Sequence, residues 1–114
     1  IIELGSGVDL HGQDYTEAAK RAVKSAISDQ CMCGLSEILN IKDPSQMFID
    51  VTVAATEPDK VDGEAVLKTL PFGVKTIKIV EGGMTVPGMK VESMGDETDA
   101  IVMVNASVTV SLDL

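Results

Sequence analysis

A short glycine-rich stretch near the start of the chain carries the residue types best suited to chemistry. Residues 5–12 read GSGVDLHG and hold three of the ten glycines and the only histidine. Asp9 and His11 are two positions apart, so their side chains share one face of an extended chain. A carboxylate beside an imidazole orients the ring, as general acid–base catalysis requires. Asp9 and His11 are therefore the candidate catalytic residues.

The glycines predict room for a ligand beside these two side chains. Alternation places the mostly apolar even-numbered residues of 2–10 toward a core and the odd-numbered ones toward an open polar face. Glycine in a strand often marks the close approach of a ligand or of another backbone. We therefore expect Gly5 and Gly7 to floor a cleft, with Gly12 also binding the ligand. The alternative is an edge strand whose polar face meets water and whose glycines form a bulge.

Three roles are open for His11. It could hydrogen-bond the backbone at a strand-to-helix turn, bind a ligand or transfer protons together with Asp9, or bind a metal with it. A metal site needs a third ligand, and only Glu81, Glu3 or Asp50 could supply one. We assign no metal, and the sequence identifies no cofactor.

A second candidate constellation is formed by Glu81, Gly82 and Gly83. Two glycines after a strand produce a bulge or a tight bend, which could be nothing more than a corner of the sheet. The functional interpretation is that the glycines remove bulk around a carboxylate. On that interpretation Glu81, Gly82 and Gly83 bind the ligand of the first cleft, from the same chain or from a neighbouring subunit.

Several familiar site patterns are absent from the sequence. Leu10 stands where a dinucleotide-binding fingerprint needs its third glycine, and no Gly-Lys-Ser/Thr follows the glycines as in a phosphate-binding loop. Cys31 and Cys33 are spaced Cys-x-Cys, with no second pair to complete a zinc site. We expect them to be reduced thiols of an intracellular protein.

Composition restricts the possible partners. The chain has 114 residues, enough for one domain with one core, and a net charge of −9. An acidic surface repels phosphate backbones, so no nucleic-acid partner is expected. No apolar run approaches the ~20 residues of a membrane span, so no membrane partner is expected. The predicted location is the cytoplasm, or an organelle matrix such as the plastid stroma if the chain is a trimmed plant protein.

Hydrophobic periodicity predicts two helices and four main strands. Asp14, three residues before Glu17, resembles a capping box at the start of a long Ala-rich helix. A shorter helix follows Asp59 or Asp62 and ends before Pro71. The predicted elements are a strand over 2–10, a helix from Thr16 to about Gln30, a strand over 47–55, a helix over 61–70, and strands over 75–81 and 100–113.

One-sided alternation in these strands predicts the architecture. A sheet with one apolar face is covered on that face, and the other face meets water or another subunit. We expect an α+β two-layer sandwich with about four strands in a mixed sheet and both helices on one face. The polar second face predicts a homo-oligomer, a trimer or larger.

The GxGxDxHG pattern resembles a small family of uncharacterised proteins found in scattered bacteria and, with long N-terminal extensions, in plants. The resemblance includes the Ala-rich helix, Leu70-Pro71-x-Gly73 and the segment Val80-Glu81-Gly82-Gly83-Met84-x-Val86-Pro87-Gly88. It covers nearly the whole chain and implies no activity.

The order of elements is also similar to trimeric chorismate mutases and YjgF-like deaminases, with a ferredoxin-like arrangement as an alternative. This likeness implies trimers with ligand clefts between subunits. Chorismate mutase activity is not expected, because arginines hold its dicarboxylate substrate and this chain has only Arg21. The two functions carried forward are a small-molecule-binding protein and an enzyme with acid–base or hydrolytic chemistry.

Overall fold

The computed structural model describes residues 2–28, 47–70 and 73–112. Strands and helices alternate in the first two thirds of the chain, and two strands close it. The elements are β1 (Ile2–Asp9), α1 (Tyr15–Ser28), β2 (Met47–Ala55), α2 (Gly63–Leu67), β3 (Val74–Glu81), β4 (Met84–Pro87) and β5 (Ala100–Leu112), with short 3-10 turns at Pro58–Lys60 and Glu92–Met94.

Strand β5 organises a mixed five-stranded sheet. The strand order is β1-β5-β2-β3, and β4 pairs with the first residues of β5. Strand β5 is antiparallel to β1, β2 and β4, whereas β2 and β3 are parallel. The predicted α+β class and mixed sheet are confirmed. The additional strand β4 was not predicted, since its four residues are all exposed and carry no alternation.

The core lies between the sheet and α1. Five small residues on one side of the helix are fully buried, which lets the helix axis lie close to the strands; these are Ala18, Ala19, Ala22, Val23 and Ala26. Alternate residues of β2 and β5 face them, Ile49, Val51, Val53, Val102, Val104 and Val108 among them. Helix α2 adds Val66 to the same core, so both helices cover one face of the sheet, as predicted.

The prediction that the even-numbered residues of β1 face the core was wrong. The odd-numbered residues face α1, so that Glu3 is only 2% exposed and Gly7 is buried, whereas Ile2 and Leu4 are 68% and 70% exposed. A Cβ on Gly5 or Gly7 would lie well under 3.0 Å from the α1 backbone. The helix therefore rests directly on the two glycines. This close approach, rather than side-chain hydrophobicity, decides which face of β1 is covered.

The face without helices mixes polar and apolar side chains. Cross-strand register aligns Leu4, Ser107, Thr52 and Lys78 in one row, with Ser107 and Thr52 on the two middle strands and Lys78 on the edge strand β3. Apolar side chains on its two edge strands remain exposed, including Ile2, Leu4 and Val74. The predicted polar face is thus polar only in part. We call it the helix-free face.

Both helix starts follow their predicted caps. The Asp14 carboxylate accepts a hydrogen bond from the amide of Glu17, 3.0 Å, and Asp62 accepts one from the amide of Ala65, 3.2 Å. Each cap satisfies a backbone donor of the first turn. The predicted end of α1 near Gln30 and both cysteines lie outside the described residues. In the part of the chain that the structure describes, no helix is long and apolar enough to cross a membrane.

Candidate functional site

His11 is held by a carboxylate distant in sequence. Its Nδ1 lies 2.6 Å from Oδ2 of Asp96, 85 residues away. The Asp96 side chain is fully buried, whereas 29% of the His11 side chain is exposed. An ionised carboxylate only accepts hydrogen bonds, so Nδ1 carries the proton and donates it. The other ring nitrogen, Nε2, is then the atom available to a ligand.

Asp96 is surrounded by donors. Its carboxylate accepts hydrogen bonds from the amide of Gly12 (2.6 Å), the amide of Val91 (2.7 Å) and Nε2 of Gln13 (3.0 Å), besides His11. Burial alone would raise the pKa of Asp96. The hydrogen bonds outweigh burial and hold the pKa well below its usual value, with the Val91 amide contributing most. Asp96 is therefore ionised at neutral pH.

Gln13 ties the same loop to the start of α1. Its side-chain amide donates to the carbonyls of Thr98 and Ala100, and its Oε1 accepts from the amide of Glu97 at 3.0 Å. The backbone of Gln13 has φ 48°, in the left-handed region that favours glycine. The residue keeps this conformation because its amide group hydrogen-bonds the turn before β5.

No hydrogen bond of the described residues joins Asp9 to His11. Oδ2 of Asp9 accepts a hydrogen bond from the amide of Asp14 at 2.8 Å, and Oδ1 accepts one from Arg21 at 3.2 Å. Asp9 thus holds the turn that leads into α1. Both predicted cleft glycines lie against the α1 backbone: Gly7 is buried there, and Gly5 is half-buried.

A cleft opens beside this turn, at the ends of β1 and β2. Its cavity volume is about 410 Å3. Polar groups converge in it from four parts of the chain: Tyr15 from α1, Thr56 and Glu57 after β2, Lys60 from the following turn, and Thr85 from β4. The wall is completed by Gln13, Glu97, Thr98 and Ala100, so the cleft borders the loop that holds His11.

The charged residues of the cleft hold one another. The Tyr15 hydroxyl donates to Oε2 of Glu57 at 2.9 Å, and Nζ of Lys60 lies 3.2 Å from the same oxygen. The hydrogen bond from Tyr15, and then that from Lys60, lowers the pKa of Glu57. In return the hydrogen bond to Glu57 raises the pKa of Lys60. Glu57 and Lys60 therefore present a carboxylate and an ammonium group across the neutral pH range, and the side chain of Glu97 also lines the cleft.

The remaining predicted ligand residues have structural contacts of their own. Gly12 has φ 92° and donates its amide to Asp96, so it belongs to the His11 loop. The amide of Gly82 donates to the carbonyl of Ala55 at 3.0 Å, and Gly83, with φ 69°, forms the corner between β3 and β4. Glu81 is exposed at that corner, and no hydrogen bond or ion pair of the described residues joins it to His11.

Sequence reasoning missed the residues that complete this region. No local motif marks Asp96 or Gln13. Tyr15 lies at the start of the first predicted helix, and Glu57 and Lys60 lie between a predicted strand and a predicted helix, where no site was expected. Among the residues that donate to Asp96 besides His11, only Gly12 was singled out by the sequence, because a turn with positive φ favours glycine. Across residues 2–28, 47–70 and 73–112, no group of three or more His, Cys, Asp or Glu could hold a metal ion.

Comparison with known proteins places the whole chain in one group. Residues 1–110 match a family described as conserved hypothetical protein (Lin0512_fam). The crystal structure of an FtsZ-like protein of unknown function from Nostoc punctiforme is similar, with 41% sequence identity and a TM-score of 0.88. The match covers 100% of this chain and 94% of that one. No curated protein matches the sequence.

Proposed function

The chain belongs to the Lin0512 family of conserved hypothetical proteins, and we propose that it binds a small polar molecule in the cleft beside the GxGxDxHG turn. One observation carries the proposal. Two acidic side chains, one lysine and four hydroxyl-bearing side chains from separate parts of the chain line a cavity of about 410 Å3. Concave sites with a few convergent polar groups are where small molecules bind.

The chemistry of the cleft indicates the kind of ligand. Glu57 accepts from a cationic or hydroxyl group, whereas Lys60 donates to an anionic or carbonyl group. Tyr15 contributes its hydroxyl and the face of its ring, over which Nζ of Lys60 lies 5.8 Å from the centroid. A zwitterionic or polyhydroxylated molecule of metabolite size satisfies these groups together.

The first test is a thermal-shift screen of the full chain against polar metabolites and divalent metal ions. A ligand that binds only the folded state raises Tm. For the best compound we expect Lys60→Met to weaken binding about tenfold, since the variant removes the charged hydrogen bond to the ligand. Lys78→Met is the matched control, because Lys78 is exposed on the helix-free face. Equal affinities of the two variants would contradict the cleft as the site.

We further propose that the protein is a homo-oligomer, a trimer or larger, with this site near a subunit interface. Support comes from the apolar side chains left exposed on the helix-free face and on β4. Large exposed apolar surfaces mark interaction sites. Sedimentation equilibrium at micromolar concentration is expected to show a mass of at least three chains. The net charge of −9 supports a surface that does not bind nucleic acid.

The second candidate function is an enzyme with acid–base or hydrolytic chemistry. It is favoured by the His11–Asp96 pair, in which a buried carboxylate fixes Nδ1 and leaves Nε2 to exchange a proton. Asp96 takes the role predicted for Asp9, which positions the turn instead. Hydrolysis of a panel of esters, amides and phosphate esters tests this function. His11→Ala is expected to lower the rate about 100-fold or more, whereas Lys78→Met leaves it unchanged.

A further inference from the structure

We propose that the outer edge of β1 is a self-association surface, to which a second copy of this chain adds its own β1 antiparallel across a two-fold axis at Leu4. The proposal specifies one contact of the homo-oligomer proposed above and is independent of the ligand cleft.

Strand β1 ends the sheet and lacks the usual protection of an edge. It pairs with β5 on one side, and no other described strand pairs with it. Natural edge strands avoid edge-to-edge pairing with lysines, prolines, bulges or charges. Strand β1 has no lysine or proline, and its register with β5 runs from Ile2 to Asp9 without a bulge. Its two acids, Glu3 and Asp9, are buried on the α1 side.

One hydrogen bond shows which backbone groups point outward. Nη1 of Arg21 donates to the carbonyl of Val8 at 2.6 Å. Because β5 occupies the inner side of β1, a side chain reaches this carbonyl only where it points away from β5. The outward groups of a strand come from alternate residues. Ile2, Leu4 and Ser6 therefore present their amides and carbonyls at the outer edge, while Arg21 covers the edge at Val8.

The Arg21 contact at Val8 limits the register of the second strand. A two-fold axis at Leu4 places Leu4 opposite Leu4 and Ile2 opposite Ser6, and it keeps the Val8 carbonyl, which Arg21 covers, away from the centre of the contact in both copies. All of these side chains lie on the helix-free face, where Ile2 and Leu4 are 68% and 70% exposed. The pairing replaces water by strand partners at the outward backbone groups, and it buries both apolar side chains, which a water-exposed edge leaves in solvent.

The lack of charge at this edge favours a second copy of the chain over a basic or an acidic partner. Each copy carries a net charge of −9, so most surfaces of two copies repel one another. The outward side chains of residues 2–6 are uncharged, and no like charges meet along the paired strands. A two-fold contact also needs a self-complementary surface, and Ile-x-Leu-x-Ser centred on Leu4 provides one. Combined with a three-fold contact, it builds a hexamer.

Sedimentation equilibrium of the wild type and two variants tests the edge. We expect Leu4→Lys to raise the dissociation constant of the two-fold contact about tenfold or more, because it places two ammonium groups side by side. Met89→Lys is the matched control: Met89 is an apolar residue with 74% exposure, and it lies in the loop after β4 rather than on β1. Circular dichroism verifies that both variants fold. An unchanged association of Leu4→Lys overturns the proposal while leaving homo-oligomerisation intact; a wild-type monomer at every concentration overturns both.

Cross-linking tests the register. In a Cys31→Ser, Cys33→Ser background, Leu4→Cys is expected to form an intermolecular disulfide on mild oxidation. Directly opposed residues of a hydrogen-bonded antiparallel pair lie about 5.5 Å apart between Cα atoms, within the range a disulfide spans. Met89→Cys in the same background should remain monomeric on a non-reducing gel. Equal cross-linking of both variants, or none of Leu4→Cys, overturns the two-fold at Leu4. Ligand-induced thermal shifts of the same variants report on the cleft separately.

Discussion

Gly7→Ala is expected to lower the free energy of unfolding by about 3 kcal/mol. The added Cβ would lie well under 3.0 Å from the carbonyl oxygen of Ala18 and the amide nitrogen of Ala22. Both atoms belong to the α1 backbone, so no rotamer change relieves the clash and the helix must move off the sheet. The entropy gained by removing a glycine from the unfolded chain, about 0.4–1 kcal/mol, is too small to compensate.

Urea unfolding monitored by circular dichroism measures this effect. Gly63→Ala is the matched control, because its Cβ would meet only side-chain atoms of Ile77 and Ile79, none of them closer than 3.1 Å. Its stability is expected to change by less than about 1 kcal/mol. Ser6→Ala, on the exposed side of β1, should be neutral. If Gly7→Ala is as stable as Gly63→Ala, α1 does not rest on β1 as described.

Asp96→Ala is expected to have the second largest effect and to lower Tm by roughly 5–10 °C. The substitution removes the acceptor of four donors at once: two backbone amides, Gln13 and His11. Buried donors left without partners destabilise more than the missing bonds alone. The turn before β5 then loses its attachment to the start of α1. His11→Ala, which removes only one donor, is the control and should change Tm much less.

The pH dependence of stability shows whether the negative charge of Asp96, and not only its capacity to accept hydrogen bonds, stabilises the fold. Its pKa in the folded protein lies below the unfolded value near 4. Its ionisation therefore stabilises the fold above pH ~4, and this contribution is lost as the pH falls toward the folded pKa. We expect the difference in stability between wild type and Asp96→Asn to shrink as the pH is lowered below ~4. A constant difference across that range would show that the charge of Asp96 is irrelevant.

The identity of the elements and the composition of the core could be predicted from the sequence. Alternation in β2 and β5 and the Ala-rich stripe of α1 report directly on burial, since each depends on side chains only a few residues apart. The caps at Asp14 and Asp62 are equally local, because a cap bonds an amide three residues on. These features decided the α+β class and the single helix-covered face.

Two features of the candidate site were decided only by the tertiary structure. Glycine has no side chain, so hydrophobic alternation says nothing about Gly5 and Gly7. Which face of β1 is covered therefore depends on how closely the α1 backbone can approach. His11 finds Asp96 rather than Asp9 because β5 pairs antiparallel with β1 and sets Val102 opposite Asp9. That pairing brings the turn before β5 against residues 11–13 across 85 positions of sequence, a distance that no local pattern spans.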